Sequence, residues 1–323
     1  MINFITATGH DYSVEALSEA DGGFDLKTSS YDELFAKRSL TAGSYIFSDL
    51  ERLMPWELRI ASEVYHSLNK AEGCRPLNNP ARAQSRVELL KGLHRLGVND
   101  FDVYRADEYP APRRFPVFVR WEGDHGKPLS DLLLTQADLE NSLTQLRETG
   151  YPLRGLLVVE FCAEETSPSV YRKYGAFRVG DRIVAHHFVI EDNWNVKYGK
   201  IGLASDDDFR DEIAYVRENP HAEQLMKIFQ QAGIEYGRAD YGLVGGRMQV
   251  YEINTNPHIK VGVKHRSPLR REALAIGEKS LLDAFAEIDV MGQHKDKISL
   301  DSKLLCPYRP YKNLFKKRYL RRP

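Results

Sequence analysis

The chain has little cysteine. Cys74, Cys162 and Cys306 are its three; they lie far apart, and none stands in a CxxC or Cys/His spacing. That pattern excludes a disulfide framework and a thiolate zinc site, and it reads as ordinary reduced thiols of a cytoplasmic protein. Long apolar runs are missing as well: no stretch approaches the about 18 residues of a membrane-spanning helix. "MINFITATGHDYS" lacks the basic start of a signal peptide, and its apolar run is too short for one, so the expected compartment is the cytoplasm. Net charge is nearly absent too, because 45 Lys and Arg face 46 Asp and Glu. No molecule-wide field therefore recruits nucleic acid or an acidic surface, and any anionic partner needs a local patch.

What is present suits a globular protein of about two domains: 323 residues, 42% hydrophobic and 28% charged. The patterning alternates between strands and helices. "INFITA" and "SYIFSDL" read as strands, and "WELRIASEVYHSLNKAEG" as a helix with Leu58, Ala61, Val64, Tyr65 and Leu68 inward. Asn and Pro at "NNPARA" mark a boundary, after which Val87, Leu90, Leu93 and Leu96 share a helical face. "FPVFVRW" is a strand, "EGDHGKP" a turn, "TQADLENSLTQLRETG" a helix capped by Thr135, and "GLLVVEF" an apolar strand. The remainder looks antiparallel, with "RIVAHHFVI" as a half-buried strand and "PHAEQLMKIFQQAG" as a helix burying Ala222, Leu225, Met226 and Phe229. A hairpin, "IEYGRADYGLV" and "RMQVYEIN", turns at Gly245-Gly246. The expected fold class is α/β (α+β): a small N-terminal α/β lobe over 1–78, a unit over 79–290 divided near 162, and a basic extension over 291–323.

The hairpin carries chemistry. Residues two apart on a strand share a face, so Arg238 points with Asp240 and Glu252 with Asn254. A strict two-residue loop would set Asp240 opposite Tyr251 and separate the pairs, whereas a longer loop with a glycine bulge brings all four together; the bulged loop is expected. Asp, Glu and Asn oxygens beside an arginine suit a hard cation that sits on phosphates. An Arg238–Glu252 salt bridge on an exposed sheet face reads equally well from spacing alone.

"RAD" followed after about a dozen residues by "EINTNP" resembles the metal-binding end of the ATP-grasp superfamily, the carboxylate-amine ligases. That resemblance extends over about residues 75 to 260. It implies an ATP-grasp fold with ATP and Mg2+, or Mn2+ in its place, as cofactors. Asp240, Glu252 and Asn254 would hold the metal, and Arg238 would be the catalytic cation. "LLVVEFCAEE" looks like the strand and hinge that take the adenine, placing Glu160, Phe161 and Cys162 at its border and Glu165 near the ribose. Arg172 and Lys173 would face phosphate or substrate. Two phosphate-binding positions that are usually lysine are Arg86 and Arg120 here, which keeps the charge but changes the geometry. Gly123 and Gly126 of the short glycine loop would offer backbone N–H groups to phosphate.

The implied activity is an ATP-dependent ligase that activates a carboxylate as an acylphosphate for attack by an amine. A small-molecule kinase on the same fold, or a nucleotide-binding protein with weak or no turnover, are the alternatives. His186 and His187 are adjacent on a strand and so point to opposite faces, which favours packed histidines over joint chelation. Asp206 to Asp208 precede a helix, whose dipole accounts for them. The C-terminal residues 303 to 323 are basic with no acid. A short helix with Tyr311, Leu314, Phe315 and Tyr319 on one side is expected to pack against the fold, the alternative being contact with an anionic partner.

Overall fold

The computed structural model describes residues 1–290, 297–300 and 305. The chain opens with a four-stranded parallel sheet. Its strands are β1 (Ile2–Thr6), β2 (Leu26–Ser30), β4 (Gly43–Phe47) and β5 (Cys74–Leu77), in the order β2-β1-β4-β5; a short β3 (Ser39–Thr41) stands outside it. Strands β1 and β4 are buried along their whole length, as continuous apolar runs in parallel sheets are. Helices α1 (Glu15–Ser18), α2 (Tyr31–Ala36) and α3 (Pro55–Asn69) accompany them. Proline at the first turn of α3 starts that helix, and Ala61, Val64, Tyr65 and Leu68 form its buried face as the spacing predicts.

A second sheet, antiparallel, is built from β6 (Val103–Arg105), β7 (Val117–Trp121) and β8 (Leu156–Glu160), ordered β6-β8-β7. Helix α4 (Arg86–Arg95) precedes it and α5 (Gln136–Glu148) packs on it. Both helices begin in capping boxes, Ser85 with Glu88 and Thr135 with Asp138. The third sheet joins β9 (Glu165–Ser167), β10 (Val170–Val179), β11 (Arg182–Glu191), β12 (Tyr236–Val244) and β13 (Arg247–Asn254), with the antiparallel order β11-β10-β12-β13 and β9 beside β10. Helices α6 (Asp206–Glu218) and α7 (Ala222–Ala232) connect β11 to β12, α8 (Pro268–Ile288) follows β13, and β14 (Lys297–Ser299) returns to pair with β3. Leu225, Ile228, Phe229 and Ala232 make the buried face of α7; Ala222 and Met226 are only partly buried at its edge. Among the described residues no helix is long and apolar enough to cross a membrane.

Two bulges change expected register. The β12–β13 hairpin closes through the strict two-residue Gly245-Gly246 turn, both glycines with positive φ, and Val244 pairs Arg247. The expected longer loop is therefore absent. The extra residue lies inside the strand instead: Tyr241 pairs Val250 and Asp240 pairs Glu252, leaving Tyr251 unpaired between them. In β10–β11, Gly175 pairs His187 and Ala176 pairs Ala185, so His186 is the residue left over. That bulge cancels the usual alternation. The two histidine rings meet with centroids 5.0 Å apart and their Nδ1 atoms 2.7 Å apart, rather than pointing to opposite faces. Asp206 to Asp208 do not precede α6 but form its first turn, where the dipole favours them. The basic residues 306–323 lie outside the described residues, and with them the expected aromatic helix.

Candidate nucleotide site

The Tyr251 bulge makes the site. With Asp240 opposite Glu252 and Arg238 opposite Asn254, all four side chains share one face of the hairpin. Arg238 donates from Nε to Asp240 Oδ1 at 2.7 Å and from Nη2 to Oδ2 at 3.3 Å. Lys173 Nζ approaches Oδ2 of the same carboxylate to 3.0 Å. Burial alone would raise the Asp240 carboxyl, but Arg238 and Lys173 outweigh it and hold it below the usual range.

Glu252 is surrounded differently. Arg86, from the first turn of α4, donates to Oε2; Arg120, from β7, lies 3.4 Å from that oxygen, and His125 Nδ1 lies 3.5 Å from it. All three contacts use Oε2. Burial would raise this carboxyl as well, yet Arg86, His125 and Arg120 keep it far below the carboxylate range. Arg120 is itself lowered to about 10 by burial and by Arg86. For His125 burial works downward, but Glu252 and Glu51 prevail and lift the imidazole to about 9. Glu51 Oε1 stands 2.8 Å from His125 Nε2, and Thr255 donates to Glu51 Oε2 at 2.6 Å.

Arg86 holds the loop after β7. Its Nη1 faces the carbonyl oxygens of Trp121, Glu122 and Asp124 at 3.0, 2.7 and 2.8 Å. The loop therefore turns carbonyls toward the charged cluster. Gly123 and Gly126 do not line the cavity. A Cβ on Gly123 would fall 2.7 Å from the Glu51 carbonyl oxygen, so this glycine permits close packing on the 49–52 segment.

One cavity joins this cluster to an aromatic recess. Arg86, Arg120, Lys173, Asp240 and Glu252 line its charged end, and Phe118, Phe161, Tyr171 and Trp194 its other wall. Trp194 comes from the loop after β11; its ring centroid is 5.0 Å from that of Phe118 and 5.8 Å from that of Phe161. Such a wall suits a planar heteroaromatic ring, and the cationic end suits phosphate.

The other expected residues take varied places. Glu160 is 2% exposed and borders the cavity, but its carboxylate is turned inward. It accepts from the backbone N–H groups of Asp102, Arg113 and Arg114 and from the Tyr104 hydroxyl. Phe161 and Cys162 line the recess; burial pushes the Cys162 thiol up, and its carbonyl accepts from Tyr251 at 3.1 Å. Glu165 is exposed, outside the lining, and engaged by Ser169 N and Tyr171. Arg172 lines the cavity yet is paired with Asp208 and Asp211 at 2.6 and 3.3 Å. Asn254 is buried and accepts from Asn256 N at 2.8 Å. Sequence reasoning passed over His125, Glu51 and Trp194. A lone tryptophan in the polar run "EDNWNVKYG" was the one available signal for the recess.

No protein-family model and no curated protein sequence matches the chain. Among solved structures it is similar to the D-alanine–D-alanine ligase of Bacillus anthracis, at 13% identity over 89% of this chain and 97% of that one, TM-score 0.49. It is similar also to a RimK-domain ATP-grasp protein of Sphaerobacter thermophilus, at 13% identity, 88% and 99% coverage, TM-score 0.46. A third is the RiPP-associated ATP-grasp ligase of Chryseobacterium gregarium in complex with ADP and a leader and core peptide, at 13%, 88% and 95%, TM-score 0.45. What the cavity can do rests on its own residues, beginning with the cations gathered around Asp240 and Glu252.

Proposed function

We propose that the protein is an ATP-dependent ligase of ATP-grasp type, joining a carboxylate to an amine. The observation that carries this reading is the single cavity in which an aromatic recess opens onto Arg86, Arg120, Lys173, Asp240 and Glu252. The "RAD" segment, paired residue for residue with the "EIN" that opens "EINTNP" across the β12–β13 hairpin, supports it. In this reading the purine stacks in the recess near Trp194 and Phe161, and the phosphates lie toward the cations. A substrate carboxylate oxygen attacks the γ-phosphorus, the bond to the β-γ bridging oxygen breaks, and ADP leaves with that electron pair. The amine then attacks the acyl carbon; inorganic phosphate departs and the amine loses a proton to solvent or a base. Phosphoryl transfer asks for position and charge neutralisation more than for covalent chemistry. Arg238 lies outside the cavity lining, fixed by two bonds to Asp240; its assignment to the developing negative charge rests on that place beside the cavity's carboxylate.

Asp240, Glu252 and Asn254 would hold a magnesium ion. The fit is partial: Asp240 and Glu252 line the cavity and Oε1 of Glu252 takes part in none of that residue's ion pairs, but both oxygens of Asp240 are held by Arg238 and Lys173, and Asn254, outside the lining, already accepts from Asn256 N through Oδ1. When bound, the ion neutralises phosphate oxygens. A nucleotide-binding protein with weak turnover is the second reading, favoured by the direct contact of Arg86 with Glu252.

The test is phosphate release from ATP in the presence of mixed carboxylates and amines. Release that requires both, with Glu252→Gln folded but slower by at least about 100-fold, is the expected result. A phosphorylated product without need of an amine would assign a kinase instead. Nucleotide bound with no release in any mixture would leave the binding protein.

A further inference from the structure

In the ligation step the amine must lose a proton, and the first unit holds a pair of side chains suited to take it. The chain after β1 brings His10 to Asp49, whose Oδ2 lies 3.1 Å from His10 Nδ1. That oxygen also accepts from Ala7 N at 3.1 Å and from Asn256 Nδ2 at 2.9 Å, and Arg52 Nε stands 3.4 Å from Oδ1. With its side chain 3% exposed and so many donors upon it, Asp49 is fixed, and it fixes the imidazole that meets it. Burial and the nearby Glu51 raise the Asp49 carboxyl, which strengthens its hold on an imidazole proton. The His10 side chain is 28% exposed, and among the described residues its Nε2 meets no hydrogen-bond partner.

The pair stands in line with the reacting groups. Along the face of the β12–β13 hairpin, Asp240 and Glu252 of the cavity come first; Arg238 and Asn254 follow two residues on, about 6–7 Å further at the rise of a strand. Beyond the end of β13, Asn256 donates from Nδ2 to the His10 carbonyl at 3.2 Å as well as to Asp49, and Ser13 donates to Asn256 Oδ1 at 2.6 Å. His258 comes next, its ring 5.9 Å from that of Tyr12, which lies 6.1 Å from that of His10. Burial lowers the His258 imidazole, and the charges of Lys260 and Arg238 lower it further, so the field of Arg238 reaches this group. Recess, carboxylates, Arg238 and His10 thus follow one another as purine, γ-phosphoryl, acyl carbon and amine do in the reaction.

Resting on the ligase reading above, we infer that His10 is the general base of the amine step and Asp49 its positioning residue. Nδ1 keeps its proton on the Asp49 side, which leaves the lone pair of Nε2 bare. The amine nitrogen bonds to the acyl carbon, the bond from that carbon to the phosphate oxygen breaks, and inorganic phosphate leaves with the electron pair. Nε2 takes the proton from the nitrogen, and Asp49 offsets the imidazolium until the proton passes to water.

The probe is an equimolar mixture of the protein amino acids, which offers both carboxylates and amines, with hydroxylamine as a second acceptor. Hydroxylamine is unprotonated at neutral pH and traps an acylphosphate without a base, so it bypasses the step assigned to His10. His10→Gln is expected to slow phosphate release with the amino acids by at least about 100-fold, the lower figure for general-base catalysis, while hydroxamate formation stays within about 5-fold of wild type. Loss with both acceptors, or with neither, would overturn the assignment. Nitrogen-15 resonances of labelled histidine in the full chain give a readout that needs no turnover. The His10 signal, identified by its absence from His10→Gln, is expected at mildly alkaline pH as the tautomer protonated on Nδ1; a proton on Nε2 would overturn the assignment too. Asp49→Asn is expected to slow the amino-acid reaction alone and to populate the other tautomer, and an unchanged signal would remove Asp49 from its role. No release by the wild type with either acceptor would overturn the ligase reading itself. Should His10→Gln fail to fold, Asp49→Asn carries the same comparison of the two acceptors.

Discussion

His186 and His187 form a partly buried pair that can stay hydrogen-bonded only while one Nδ1 donates and the other accepts, so at least one ring is neutral. Burial, with Arg238 and Arg270 nearby, lowers His186 to about 3, and the same burial lowers His187 well below its ordinary value. A base whose folded value is depressed stabilises the fold above its unfolded value, and that contribution fades as pH falls from about 6.5 toward 3. Each unit below 6.5 costs at most about 1.4 kcal/mol per histidine. The lowered carboxylates Asp240 and Glu252 lose their contributions only below the ordinary carboxylate value, so they add nothing to the loss between pH 6.5 and 5. Urea midpoints at pH 6.5 and 5 should therefore fall by the equivalent of about 1–2 kcal/mol in the wild type. A His186→Asn/His187→Asn double variant should lose most of that slope; an unchanged slope would show that the pair protonates freely in the fold.

At the scale of elements, the same bulge meets α8. Gly277 lies in the interior of this 21-residue helix, where alanine ordinarily gains about 1 kcal/mol. Here a Cβ would stand 2.5 Å from the His186 carbonyl oxygen, a backbone atom of the bulge. Gly277→Ala is expected to destabilise by about 1–3 kcal/mol in chemical denaturation, and a gain would mean that the bulge yields at no cost. Helix α8 also marks the limit of what patterning discloses. Its buried positions include Ala273, Gly277 and Ala284, whose small side chains carry little hydrophobic contrast, so the helix was not read from the sequence. Strands of three residues such as β6 escaped for want of length. Elements with large apolar residues at regular spacing, among them α3, α4, α5 and the β12–β13 hairpin, were legible. The hairpin's register was not: a bulge at Tyr251 rather than a longer turn aligned Asp240 with Glu252, and the choice between them depends on tertiary packing. In the cavity, Arg86 and Arg120 were legible as cations. That they turn to Glu252 and to loop carbonyls depends on how residues 121–125 fold, which no local spacing encodes.

At the scale of the whole molecule, the cavity depends on segments distant in sequence. Glu51 from the first sheet's side, His125 from the loop after β7, and Thr255 from the end of β13 form one connected chain of contacts, and Leu50 N donates to Thr255 at 3.2 Å. A shared apolar cluster adds Phe4 and Ile46 of the first sheet to Phe177 and Tyr236 of the third and Phe285 of α8. The chain closes on itself further on: β14 pairs with β3, Leu300 N donates to the Arg38 carbonyl at 2.9 Å, and the Leu300 side chain, 1% exposed, enters the core around Tyr31, Phe47 and Val64. Removing that side chain opens a cavity in the first unit, not at the end of the chain where the residue stands in sequence. Leu300→Ala should cost about 2–5 kcal/mol, the range for a buried leucine. Because the cores meet through the cluster around Phe4 and Phe285, calorimetry should show one transition moved to lower temperature rather than a second one split from it. A loss below about 0.5 kcal/mol would mean that residues 297–300 do not dock on the first unit, and two separate transitions would mean that the sheets do not melt as one body.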